Sequence, residues 1–198
     1  MLLFSLFMIS GCQMSENDTT FDPEKAALAR LKLGLGYLAQ ADKSEANIKL
    51  AHYNLSLANQ YSPNNPNVML GMALFDQRVG EYNEAEMIYQ NITKREPNNG
   101  LFLNHYGAFL CATDHYEDAK AQFNKSIQLN IIKWKIAGLE QLGYCAIQNR
   151  DPVEADQAFK QLFQYDSSAP DRVSEMANIY RENGDIQTAK YLSTVAKQ

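Results

Sequence analysis

One interval constrains this chain more than any other feature. Alanines recur at Ala51, Ala85, Ala119, Ala155 and Ala189, separated by 34, 34, 36 and 34 residues. Four residues after each of the first four comes a large side chain: Leu55, Tyr89, Phe123 and Phe159. The fifth place is Ser193. Twelve residues before the later four stand Ala73, Gly107, Gly143 and Ala177, and Pro63 and Pro97 fall at a shared phase. Unrelated amphipathic helices would drift out of register. A period of this length held in phase means a stack of like units, each burying its apolar face on the next.

The pattern is that of the tetratricopeptide (TPR) repeat. With the recurring alanine at position 20, the small residue at position 8 lets helix A approach helix B. The large residue at position 24 fills the space between them, and proline at position 32 ends helix B. An all-α fold is expected: five helical hairpins in a right-handed superhelix, with helices A on the concave side. The repeats fall at about 27–65, 66–99, 100–135, 136–169 and 170–198. Position 15, the A–B turn, is Gly80 and Gly184 in two repeats but Asp114 and Arg150 in the middle two. Repeat 1 carries Leu33-Gly34 and Tyr37 on helix A, and its A–B connection is read as extended through ADKSEANIKL. Two further residues lengthen the repeat 3–4 connection, LNIIKWKIAG, which holds Trp134, the only tryptophan. Trp134 is read either as a plug on the convex side or as an exposed anchor for a partner. The last helix is polar at Lys190, Ser193, Thr194 and Lys197. It either solvates its own outer face or leaves an edge for a partner or second copy.

Composition narrows the function. The net charge is −5 and no stretch is strongly basic, which argues against a nucleic-acid role. The three histidines, His52, His105 and His115, sit in no HExxH motif and beside no CxxC pair. Packing or exposure is the reading for each, and no metal site is expected. No Ser-His-Asp arrangement, phosphate loop or dinucleotide fingerprint is present, so neither catalysis nor a cofactor is expected.

The N-terminus reads as an address. Residues 1–10, MLLFSLFMIS, form a short apolar run ending in small residues before Gly11-Cys12. Ile9-Ser10-Gly11-Cys12 resembles a bacterial lipobox, in which the cysteine thiol accepts lipid and becomes the mature N-terminus. The alternatives, a truncated membrane helix or a buried strand, fit less well, because the run is too short to span a bilayer. It lacks a Lys or Arg at its start, as expected if the true start lies upstream of Met1. Residues 1–11 are thus read as a lipoprotein signal peptide and 12–26 as a flexible lipidated tether. Acyl chains such as palmitate on Cys12 would anchor the chain durably. Gln13, rather than Asp, follows the cysteine, which implies the outer membrane with the array facing the periplasm.

Cys111 and Cys145 lie at positions 12 and 10 of adjacent A helices. That offset is about 3 Å along the helix axis. Helices packed roughly 8–10 Å apart would bring such cysteines within bonding range, and the periplasm is oxidising. A Cys111–Cys145 disulfide is therefore expected, with two buried free thiols as the alternative.

The segments Leu33-Gly34-Leu35-Gly36-Tyr37-Leu38, Asn104-His105-Tyr106-Gly107-Ala108-Phe109-Leu110-Cys111 and Leu139-Glu140-Gln141-Leu142-Gly143-Tyr144-Cys145-Ala146 resemble the PilF/PilW family of type IV pilus biogenesis and stability lipoproteins. With the lipobox, the resemblance covers residues 9–198. It implies an outer-membrane protein that binds pilus machinery, either helping the secretin ring localise or multimerise or stabilising extruded fibres. It also implies lipid on Cys12 and a pairing of Cys111 with Cys145. Arrays of this family often run to a sixth repeat, where five are legible here. A general periplasmic TPR adaptor in another envelope pathway is the alternative.

Positions 2, 5, 9, 12 and 13 of each helix A should form the concave wall. In repeats 3 and 4 these include Asn104, Glu140, Tyr144 and Gln148, read as a groove that holds an extended or helical peptide. The competing reading is that Tyr144 packs between repeats and Asn104 caps local backbone.

Overall fold

A computed structural model describes residues 21–197. The expected signal peptide at 1–11 and the expected acylation site, Cys12, lie outside the described residues. Those residues contain ten α-helices and no strand: α1 (Pro23–Leu38), α2 (Glu45–Tyr61), α3 (Pro66–Val79), α4 (Tyr82–Arg95), α5 (Gly100–Ala112), α6 (Tyr116–Gln128), α7 (Ile132–Gln148), α8 (Pro152–Tyr165), α9 (Ala169–Glu182) and α10 (Ile186–Val195). Consecutive pairs form five hairpins, and each hairpin packs on the next.

The repeat positions do what their sizes require. Position 20 is buried in all five hairpins, and Leu55, Tyr89, Phe123 and Phe159 at position 24 are wholly enclosed. A Cβ added at Gly107 would fall 2.6 Å from the Phe123 ring, and one at Gly143 would fall 2.7 Å from Phe159. The missing side chain at position 8 is thus the space that the aromatic occupies.

The A–B turns of repeats 2–5 share one geometry. Gly80, Asp114, Arg150 and Gly184 all have positive φ (89°, 63°, 58° and 85°). The next residue's N–H reaches back to the carbonyl five residues earlier each time: Glu81 to Asp76, His115 to Leu110, Asp151 to Ala146 and Asp185 to Tyr180, at 2.8–2.9 Å. This is the Schellman closure of a helix C-terminus, and it satisfies carbonyls the helix leaves open. In repeat 1, α1 instead runs into a short 3-10 turn, Ala41–Lys43.

Three boundaries differ from expectation. Helix α1 begins at Pro23, with the Asp22 carboxylate accepting the Lys25 N–H at 3.0 Å, so residues 23–26 are helix rather than tether. The extra residues of repeat 1 mostly lengthen α2, which starts at Glu45 behind the Ser44 cap and runs for 17 residues. Those of the repeat 3–4 junction lengthen α7, also 17 residues, so Trp134 lies in the first turn of a helix and not in a loop.

Candidate functional site

The structure singles out the joint between repeats 3 and 4. Backbones of α5 and α7 approach one another closely, more so than α3 with α5 or α7 with α9. Small residues allow it. Trp134 lies directly over Gly100, where a Cβ would come within 2.4 Å of the indole. Gly138 faces Asn104, and a Cβ there would fall 3.2 Å from the Asn104 Oδ1. The Asn104 side-chain amide donates to the Trp134 carbonyl at 3.2 Å, and the Ser126 hydroxyl, between the Gly100 and Trp134 carbonyls, lies 3.4 and 3.3 Å from them.

At the other end of the same joint, Cys111 and Cys145 are bonded, with an S–S distance of 2.05 Å and Cα atoms 5.9 Å apart. Beside the bond lies a depression of about 210 Å³ between α5 and α7. Ala108 and Ala112 flank it on α5, and Gln141, Tyr144 and Gln148 on α7. The Tyr144 ring packs edge-on against Phe159 at 5.3 Å, and Gln148 Oε1 sits 3.4 Å from the Cys111 sulfur. Burial, and then the nearby Glu140 carboxylate, push the Tyr144 hydroxyl well above its ordinary pKa of 10. It therefore stays protonated, able to donate a hydrogen bond.

The four expected groove residues divide. Tyr144 and Gln148 line the depression. Asn104 does not: it is 3 % exposed and its amide is committed to the Trp134 carbonyl, because Gly138 lets α7 close over it. Glu140 is engaged as well, accepting from Arg172 of α9 at 3.1 and 2.9 Å, so it ties repeat 4 to repeat 5. Arg172 also reaches Asp166 at 2.8 Å. Gln141 was not among the expected residues, yet it lines the depression and its Oε1 is buried without a hydrogen-bond partner.

The histidines lie apart from one another: His52 stacks on Phe75 at 5.1 Å, and His115 Nδ1 is 3.2 Å from the Thr113 hydroxyl. Burial lowers the pKa of His105. Among the described residues, no group of three or more His, Cys, Asp or Glu side chains could hold a metal ion. A larger cleft of about 620 Å³ opens between α4 and α6, lined by Gln90, Lys94, Gln122 and Lys125 together with Leu103 and Tyr106. The smaller depression is the one that holds two of the expected groove residues, Tyr144 and Gln148.

Comparison with known proteins bears on what this groove serves. No family model matches the chain. The type IV pilus assembly protein PilF of Pseudomonas aeruginosa is 24 % identical over 194 residues, covering 96 % of this chain and 75 % of PilF. The chain is homologous to PilF. An uncharacterised protein of Haemophilus influenzae is 26 % identical over 170 residues, 86 % of this chain and 92 % of that protein. Among solved structures, Pseudomonas aeruginosa PilF superposes with a TM-score of 0.67 over 89 % of this chain and 77 % of PilF. PilW, described as a widely conserved type IV pilus biogenesis factor, gives 0.66 at 17 % identity, over 86 % of this chain and 76 % of PilW. A thermophilic TPR protein of Thermus thermophilus gives 0.64 at 17 % identity, over 86 % of this chain and 90 % of that protein. The fold of this PilF homologue is thus that of the TPR proteins, with PilF and PilW among them.

Proposed function

We propose that the chain is a TPR adaptor of type IV pilus biogenesis that works by binding partner proteins and not by catalysis. The observation that carries this reading is the similarity to PilF across 96 % of the chain. The stapled joint supplies a means: a rigid wall made of α5 and α7, with Tyr144 and Gln148 beside a 210 Å³ depression, to hold an extended or helical segment of a partner. Rigidity matters because a wall fixed before binding spends little ordering entropy on its ligand. The partner is a secretin subunit or another component of the pilus machine, whose localisation or multimerisation the adaptor assists. The chain sits on the outer membrane through acylated Cys12, facing the periplasm; the lipobox and Gln13 support that placement.

Gene deletion tests the reading. Secretin oligomers in the outer-membrane fraction and surface pili should both fall, and the wild-type gene should restore them. A Tyr144→Ala, Gln148→Ala double variant that accumulates normally should restore them poorly. Unchanged secretin and pili in the deletion strain would overturn the reading in favour of an adaptor for another envelope pathway.

A further inference from the structure

The first hairpin carries an exposed apolar face. Helix α2 buries Ala51, Leu55 and Ala58 on its inner side and carries a second stripe, Leu50, Tyr53, Leu57 and Tyr61. Spacings of three and four residues put that stripe on one face. On α1, Leu33 is exposed, and Tyr37, four residues on, is half-buried against the hairpin's own core. Phe21 joins the end of this edge, its ring 5.4 Å from Tyr61. Phe21 is 66 % exposed, Tyr53 58 %, Leu33 49 % and Leu50 40 %. Arg30 of α1 is folded onto the Asn54 Oδ1 at 3.0 Å, and Lys49, one turn before Tyr53 on α2, pairs with Glu45 at 2.9 Å. In the interior of the array the preceding hairpin covers the α1 face, as at Tyr106 and Leu142; the α2 stripe instead lies on a side that is solvent-facing in every repeat, where the equivalents of Leu50 are Glu84 and Asp118, and among the described residues nothing covers it.

The path of the chain selects the occupant. Phe21 lies at this edge, and only residues 13–20 separate it from Cys12. Nine peptide steps reach at most about 30 Å. A lipid on Cys12 therefore holds this end of the array beside the bilayer. The side chains match that location: Tyr and Phe favour the membrane–water interface, and leucines bury their bulk just below it. We propose that the α1–α2 edge, built on Phe21, Leu33, Leu50 and Tyr53, lies on the lipid surface and stands the array on the membrane in one orientation. This inference rests on the acylation of Cys12.

The test uses the acylated full chain in vesicles of phosphatidylethanolamine and phosphatidylglycerol. Cys12 is blocked by lipid and Cys111 is bonded to Cys145, so a single introduced thiol takes a fluorophore. Tyr53→Cys is compared with Glu182→Cys on α9, both checked for native helicity, and nitroxide-bearing lipids serve as quenchers. The expected result is quenching at residue 53 at least threefold stronger than at residue 182. Equal, weak quenching at both positions in protein that floats with the vesicles would overturn the membrane contact while leaving the anchor intact. Protein that does not float, with an unmodified Cys12 by intact mass, would overturn the anchor and this inference together. Crosslinking of Tyr53→Cys to a second copy, without quenching, would assign the edge to self-association and overturn the lipid contact.

Discussion

Trp134 covers the Cα of Gly100 so closely that a methyl group there would sit 2.4 Å from the indole Cγ and 2.5 Å from its Cβ. The obstructing atoms stand at the root of the Trp134 side chain, where rotation gives little relief. Gly100→Ala should therefore push α7 away from α5 and destabilise the array by about 1–3 kcal/mol. Urea unfolding followed by fluorescence of Trp134, the single tryptophan, measures both the loss and the changed environment.

Denatured, unreduced protein with Cys12 blocked should show no free thiol by titration. The bond closes a separation of 34 residues. By the chain-entropy relation, replacing both cysteines with alanine should cost up to about 3–4 kcal/mol. Denaturation of the double variant beside the wild type checks this. Two titratable thiols in the wild type would contradict the bond.

Arg150 occupies a left-handed turn position with φ 58°, where a side chain is disfavoured. Arg150→Gly should stabilise the protein by about 0.5–1 kcal/mol. Gly184→Ala, at φ 85°, should destabilise it by a similar amount. Urea midpoints of the two variants should move in opposite directions.

His105 prefers to be neutral in the folded chain, because burial depresses its pKa below the ordinary 6.5. The unfolded chain takes up the proton first as pH falls. Its contribution to stability is complete above about pH 6.5 and is lost as the pH drops towards the folded value. Unfolding curves at pH 7.5 and 5.5 should show a smaller decline for His105→Gln than for the wild type.

Arg172 joins repeats through Glu140 and Asp166, but the side chain is 38 % exposed, so solvent screens the pairs. Arg172→Ala should cost about 1 kcal/mol at low salt. The difference from wild type should shrink in 0.5 M NaCl.

What was legible in the sequence is what each hairpin settles within itself. Gly107 under Phe123 and Gly143 under Phe159 are contacts between the two helices of one repeat, so they recur at the repeat's own period. The turn at Asp114 and Arg150 followed from phase alone, since neither residue type announces a positive φ. Asn104 shows where this reasoning stops. Its place on helix A put it on the groove wall, but its burial depends on how closely the next repeat approaches, and Gly138, 34 residues away, decides that. The start of α1 was hidden for another reason. Asp22-Pro23 is a good cap and first-turn pair, yet it lies in polar sequence that reads as tether. Gln141 carried no signal, since an unpaired carbonyl oxygen is a property of its surroundings.

The bond between Cys111 and Cys145 has a mechanical consequence. A solenoid held at its two ends sheds hairpins one after another under load, because each is braced only by its neighbours. Residues between the two cysteines cannot take up that load, since the force passes through the sulfur atoms. The fully extended chain is shorter by roughly 110–120 Å. Most of α5 and the last turn of α7 can still be drawn out, while α6 and the greater part of α7 remain in a closed loop at any tension the disulfide survives.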